Sequence, residues 1–218
     1  MNTQDVLDPQ RWAETTFGGV LETTDLDYTH HPKTTGLGPM GDDRGRGLLL
    51  QTVLAIDPAT HHRLRCAHQE PFMRQSAPKG QTRAQRRKRS KETDVWGRCV
   101  QAIGPSCSST LFVHVADRGA DIFAFLDSCR RTQTHFVVCA TQDRRVQMEE
   151  ETLSHLLAEL SVLPAVDARP FDVPASHGRQ ARSTTLHLAW THLSLLPPRH
   201  DPRLHKLAPI PVWVVRVS

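Results

Sequence analysis

Leu111 to Arg131 reads LFVHVADRGADIFAFLDSCRR, and this stretch decides the fold. Leu111 to Ala116 is an apolar run of strand length, as expected of a strand buried within a sheet. It runs straight into Asp117. From Asp121 to Arg131, Ile122, Phe125 and Leu126 fall at helical spacing. An acid where a buried strand gives way to a helix occupies a favoured position, because catalytic and ligand-binding groups gather at strand ends in open α/β sheets.

Working outward, His135 to Ala140 (HFVVCA) is a further strand and Lys91 to Ile103 a helix. Upstream, Gly47 to Asp57 (GLLLQTVLAID) reads as a central strand buried on both faces, and Arg63 to Phe72 as the strand returning beside it. Val20 to Thr29 (VLETTDLDYT) is β-prone, with acids interleaved among Val, Leu, Thr and Tyr. Between these, HHPKTTGLGPMGDDRGRG is a loop marked by glycine and proline. The order strand, strand, strand, helix, strand, helix, strand predicts an α/β sheet with helices packed against it.

Beyond residue 146 the texture changes. Thr152 to Val162 predicts an amphipathic helix, and FDVPA, STTLHLAW, HLSLLP and PVWVVRVS predict a small antiparallel β element. Three regions follow from this pattern: 1–19, a sheet-and-helix core over 20–145, and a β-rich region over 146–218.

The chain has 218 residues and a formal net charge of +4, a weak lean toward an anionic partner. The distribution is more informative: Arg83, Arg86, Arg87, Lys88, Arg89 and Lys91 fall within nine residues. Such a cluster suits neutralisation of DNA phosphates, and equally a solvated loop. The five cysteines, Cys66, Cys99, Cys107, Cys129 and Cys139, show no C-x-x-C and fit reduced thiols in a cytoplasm. No apolar run approaches the roughly 20 residues that cross a bilayer, and the N-terminus lacks the pattern of a signal peptide. The expectation is a soluble cytoplasmic protein without a membrane partner.

Two acids are the candidate site. Glu22 lies inside the first strand and Asp117 ends a buried one. Carboxylates on neighbouring strands suit a hard cation such as Mg²⁺, and in two-metal phosphoryl transfer such ions serve both the attacking and the leaving oxygen. The competing reading is a solvent-facing Glu22 and an Asp117 that simply caps a helix. Alternation puts Thr24, Leu26 and Tyr28 on the Glu22 face and turns Asp25 and Asp27 away. The pairs His30/His31 and His61/His62 have no further ligand at zinc spacing beside them. His114 reads as a satisfied core residue, and Trp12, Trp96, Trp190 and Trp213 as packing residues. Phosphate-binding glycine loops of the G-x-x-x-x-G-K-[ST] kind and nucleophile elbows are missing from the sequence.

The succession VLETTDLDYTHHP, GLGPMG, GRGLLLQTVLAID, AHQEPFMR, KET, VHVADRGADIFAFL and HFVVCA resembles bacterial insertion-sequence DDE transposases of the Tn-five-like branch of the insertion-sequence-four family. The likeness covers roughly Val20 to Ser218. It implies a partial ribonuclease-H-like mixed sheet with a truncated antiparallel β insertion subdomain, and an ancestral activity of DNA cleavage and strand transfer. It also implies that Asp117 and Glu22 stand for the first two of three metal acids, with Mg²⁺ or Mn²⁺ as cofactor, weakly bound here. DNA and a full-length transposase are the implied partners.

The departures define the expected state of the protein. Glu22 opens an E-T-T block where the family has D-T-T, and its extra methylene moves the carboxylate. A misplacement on the order of 1 Å can cost about 100-fold in rate. Gly119 stands where the family has the Glu of D-R-E, and Cys139 where it typically has an Arg. The family's third acid follows the β insertion, within which this chain ends. RWAETTFGG resembles the opening of the family's DNA-binding domain, so that 1–19 reads as its remnant. The expectation is a catalytically defective transposase derivative, with nonspecific DNA binding without catalysis as the alternative.

Overall fold

A computed structural model describes residues 16–41, 45–74, 78, 80–82, 85, 91–106, 110–149, 151–176 and 178–218. The chain divides into two compact units, the first ending at Thr141 and the second spanning Gln142–Ser218. Both are built on β-sheets, and the first is mixed α/β.

The first unit contains β1 (Thr16–Asp27), β2 (Gly38–Met40), β3 (Gly45–Ile56), β4 (Arg63–Phe72), α1 (Asp94–Ile103), β5 (Leu111–Ala116), α2 (Phe123–Arg131) and β6 (His135–Val138). Its strands form one six-stranded sheet. β1 and β3 pair antiparallel from Gly18↔Ile56 to Asp27↔Gly47. On the other edge of β3, β4 takes Leu49 to Ile56 and the short β2 takes Gly45 to Gly47. β5 joins β1 in parallel, from Thr16↔Leu111 to Leu21↔Ala116, and β6 joins β5 in parallel. Parallel neighbours need a crossover connection, and α2 supplies it between β5 and β6.

Strand alternation assigns the faces. Leu21, Leu49, Val53 and Ala55 are buried, and register puts them on one face with Phe112 and His114. Both helices cover this face: Trp96 of α1 meets Phe125 of α2 at 6.1 Å between ring centroids, and Phe125 meets His114 at 6.3 Å. Gly19 leaves room for the Phe112 ring, which a Cβ there would meet at 2.7 Å. α1 ends at Gly104, whose φ of 83° suits glycine and whose N–H donates to Val100 O at 3.0 Å.

On the opposite face Leu48, Leu50, Thr52 and Leu54 of β3 are only half-buried, Val113 of β5 is buried, and Val115 and Val137 are exposed. The sequence predicts β3 to be buried on both faces. Its pattern instead alternates buried with half-buried positions, because the described helices of this unit pack on the face that carries Leu49, Val53 and Ala55.

The second unit contains β7 (Arg145–Gln147), β8 (Leu153–His155), α3 (Leu156–Val162), β9 (Asp167–Val173), β10 (Arg182–Leu195) and β11 (Ile210–Val217). All its pairings are antiparallel. Two expectations change here. Residues 153–155, expected to begin a helix, pair with β7 as a strand, and the helix starts only at Leu156. STTLHLAW and HLSLLP, expected as separate strands, lie along the single β10, which pairs with β9 in its first half and with β11 in its second. Val146, Leu156, Ala189, Leu193, Leu195 and Ile210 are buried in this unit. Arg216 donates to Leu160 O at 2.7 Å and to Leu163 O at 2.8 Å, satisfying carbonyls that the end of α3 leaves open. Among the described residues no helix is long and apolar enough to cross a membrane.

Candidate functional site

Glu22 and Asp117 arrive at one level of the sheet. The last register pair between β1 and β5 is Leu21↔Ala116, and the two acids are the next residues on each strand. Adjacent strands lie roughly 4.8 Å apart, and residues paired in register share a face. Both acids are exposed and belong to the face opposite the helices. β6 continues the row: Ala116 pairs with Val138, and the exposed Cys139 follows it.

Each acid has a different local setting. Glu22 is held mid-strand, with Thr52 of β3 opposite it. Asp117 is extended and caps a short 3-10 turn, Arg118–Ala120, its Oδ1 accepting from the Gly119 N–H at 2.8 Å. The capping role expected from the competing reading is therefore present, and it engages one carboxylate oxygen. Gly119 packs tightly beside it: a Cβ there would lie 2.9 Å from Asp117 Oδ1. A Glu at this position would require the Asp117 carboxylate or the turn to shift. Asp27 is committed elsewhere, accepting from the Thr29 N–H at 2.8 Å, and its hydrogen bonds from Thr29 hold its carboxyl below the ordinary value.

Asp121, which the sequence reading treated only as the start of a helix, is buried and accepts from the Thr141 N–H at 2.7 Å. It ties the segment after β6 to the turn that carries Asp117. Nothing in the helical spacing of Ile122, Phe125 and Leu126 marks that role, because its partner lies 20 residues away.

The six basic residues fare unequally. Lys91 is exposed, and its backbone N–H donates to Asp94 Oδ2 at 2.8 Å at the start of α1. Arg83, Arg86, Arg87, Lys88 and Arg89 lie outside the described residues. In the second unit, Arg145, Arg199 and His205 line a cleft of about 370 Å³ with Leu196, Pro197 and Pro209.

His114 departs from its expected state. It is fully buried, yet neither ring nitrogen meets a hydrogen-bond partner among the described residues. Its neighbours are aromatic, with the Phe112 ring at 4.9 Å. Burial lowers its pKa from 6.5 to about 4, so the imidazole is neutral at pH 7. Of the tryptophans, Trp96 is buried against Phe125 and Trp213 stacks near His192 at 5.3 Å, while Trp12 lies outside the described residues.

A second cluster escaped the sequence reading altogether. His68 and Glu70 on β4 and Cys99 on α1 present ligand atoms that all lie within 4.8 Å of one another. Among the described residues this is the one group of three or more His, Cys, Asp or Glu that meets such a limit. Among the described residues no third such side chain joins Glu22 and Asp117 at that distance. Arg98 donates to Glu70 Oε1 through Nε at 2.8 Å. Burial, with a smaller effect of the Glu70 charge, pushes the Cys99 thiol up to about 12.

The donor set of Glu22 and Asp117 is right in kind for Mg²⁺, which prefers oxygen ligands, and short in number. Two carboxylates, one of them partly engaged, can hold a largely hydrated cation at the open face of the sheet. No protein-family model matches this sequence, and no curated protein matches it.

Proposed function

We propose that this chain is a transposase-derived protein of the Tn-five-like branch, defective in DNA cleavage and strand transfer. The observation that carries the reading is the placement of Glu22 and Asp117 at one level of adjacent parallel strands, with no third acid beside them among the described residues. A ribonuclease-H-like core is the fold proposed with it. Its support is the mixed sheet, an antiparallel meander β1-β3-β4 continued by the parallel strands β5 and β6. The antiparallel second unit supports the β insertion subdomain in the same way.

Under this reading Asp117 and Glu22 are the remaining metal acids, and Mg²⁺ or Mn²⁺ would be their ion, supplying activation of a water or hydroxyl for attack on phosphorus when bound. Defective catalysis follows from the composition of the site. Removing a member of a cooperating catalytic set costs several orders of magnitude in rate. A full-length transposase is a proposed partner, and a reducing cytoplasm the proposed compartment, since Cys66, Cys99, Cys129 and Cys139 are free thiols.

The test is a cleavage and strand-transfer assay on supercoiled plasmid with Mg²⁺ or Mn²⁺, comparing the wild type with Asp117→Ala. The expected result is background nicking in both, from samples shown to be folded. Metal-dependent nicking that disappears in Asp117→Ala would overturn the defect.

A second reading, sequence-independent DNA binding without catalysis, is favoured by the Arg145, Arg199 and His205 cleft together with the basic segment Arg83 to Lys91. Binding of a fluorescent duplex should then weaken steeply with salt, regardless of its sequence. Affinity unmoved by salt would end this alternative.

A further inference from the structure

We propose that His68, Glu70 and Cys99 form a binding site for a single transition-metal dication of the zinc class. The site does not depend on the transposase reading, since it lies on the helix-covered face of the sheet, away from Glu22 and Asp117.

The first support is convergence. The three ligand atoms lie within 4.8 Å of one another although Cys99 comes from a different element, α1. Metal bonds of about 2.0–2.3 Å in a tetrahedron put ligand atoms roughly 3.3–3.8 Å apart. Contraction by about 1 Å is within reach of side-chain rotation on a fixed backbone.

The second support is unsatisfied polarity at the same place. His68 Nε2 is buried and meets no hydrogen-bond partner among the described residues. Gln51, 0% exposed, is the register partner of Glu70 on β3, and its Nε2 is likewise unpaired. Buried polar atoms without partners are rare in folded proteins, and each asks for an explanation such as an ion or water.

The third support is local backbone. The β3–β4 register shifts between Val53↔His68 and Leu54↔Cys66, so that Ala67 is the extra residue of a β-bulge. Bulges re-aim side chains next to functional sites. Alternation alone puts His68 on the same face as Glu70, and the bulge turns Cys66, which unbroken alternation would also put there, to the opposite face.

The chemistry of the set selects the ion. A thiolate, an imidazole and one carboxylate suit Zn²⁺ or Co²⁺, whereas Mg²⁺ and Ca²⁺ require oxygen. Arg98 fixes Glu70 through Oε1, and Oε2 accepts no hydrogen bond among the described residues. Carboxylate ligands are commonly oriented by such outer partners. Loading breaks the Cys99 S–H bond, sends the proton to solvent and forms a sulfur–metal bond. With three protein ligands, one coordination position stays open to water or another small donor.

The full chain, stripped with chelator, is titrated with Co²⁺ and followed by absorbance, with competition by Zn²⁺. The expected result is one Co²⁺ per chain, a thiolate-to-cobalt charge-transfer band in the near ultraviolet, and displacement by Zn²⁺. Cys99→Ser removes the band, Glu70→Gln and His68→Ala weaken binding at least about 10-fold, and Cys66→Ser and Cys139→Ser leave it intact. Circular dichroism checks that each variant is folded, and Glu70→Gln, an isosteric change at a half-buried position, keeps the test usable if Cys99→Ser fails to fold. A folded wild type without the band, a band that survives Cys99→Ser, affinity unchanged in Glu70→Gln, or a band lost in Cys66→Ser or Cys139→Ser would overturn the proposal.

Discussion

Replacing His114 by Leu should make the first unit more stable and remove part of its sensitivity to acid. The imidazole is 0% exposed, surrounded by Phe112 and Phe125, and neither nitrogen is hydrogen-bonded among the described residues. An unpaired buried polar group costs about 1–3 kcal/mol, and Leu is close to His in volume. At pH 7 the variant should therefore gain on the order of 1 kcal/mol or more. The larger effect is linkage. The unfolded chain protonates this histidine from about pH 6.5 downward, while the folded protein resists until about 4. A histidine with a lowered folded pKa contributes its stability above the unfolded value and loses it as pH falls. The interval is roughly 2.5 in pH, and at about 1.36 kcal/mol per pH unit the wild type loses about 3 kcal/mol that His114→Leu keeps. Below about pH 4 the difference stops growing.

Unfolding of this unit can be read separately, because Cys99 and Cys129 are buried within it. Pulsed thiol labelling along a urea gradient, resolved to each cysteine by mass spectrometry, gives the midpoints for both proteins from pH 7 to 4. Carboxylates titrate alike in the two, so the difference between the curves isolates the histidine. Parallel curves, or a variant less stable than the wild type at every pH, would refute the account of His114 as a neutral, unpaired core residue.

Three other outcomes are expected. Phe125→Ala removes the ring between Trp96 and His114 and should cost about 3–5 kcal/mol, seen as earlier labelling of Cys99 in the same urea experiment. Gly47→Ala places a Cβ 2.2 Å from the carbonyl oxygen of Leu26, a backbone obstacle, so a loss near the upper end of about 1–3 kcal/mol should appear as a lowered unfolding midpoint. If the chain binds DNA, neutralising Arg83, Arg86, Arg87, Lys88, Arg89 and Lys91 should flatten the dependence of log affinity on log salt by about 0.9 for each phosphate no longer neutralised, measured by fluorescence anisotropy.

Much of the first unit was legible because apolar periodicity reports burial directly. Leu111–Ala116 and Arg63–Phe72 have the bounds expected of them, since each strand is set off by residues of a different kind. Where adjacent signals were ambiguous, reading from local sequence failed for identifiable reasons. Trp190 and Thr191 looked like the joint between two strands, yet β10 runs through them because β11 pairs continuously across both. Leu153 to His155 carried the spacing of the helix that follows, but pairing with β7 claims them as a strand.

By itself the sequence determined most of the strands and helices, which residues of each strand share a face, and that Asp117 follows directly on a strand. Those properties follow from local geometry and from the demand that apolar side chains leave water. The short strand Gly38–Met40, inside the stretch read as a loop, was not among them, and the strand before Asp117 is half-buried, with Val115 exposed, where burial throughout was expected. Only the tertiary structure decided which strands became neighbours. Parallel pairing through Leu21↔Ala116 sets Glu22 beside Asp117, residues nearly a hundred positions apart in the chain. The packing of α1 on β4 brings Cys99 to His68 and Glu70, a bulge at Ala67 turns Cys66 away from them, and helix packing closes His114 into an aromatic core without a partner among the described residues. Pairing register and crossover packing are long-range choices, and no window of local sequence contains both partners.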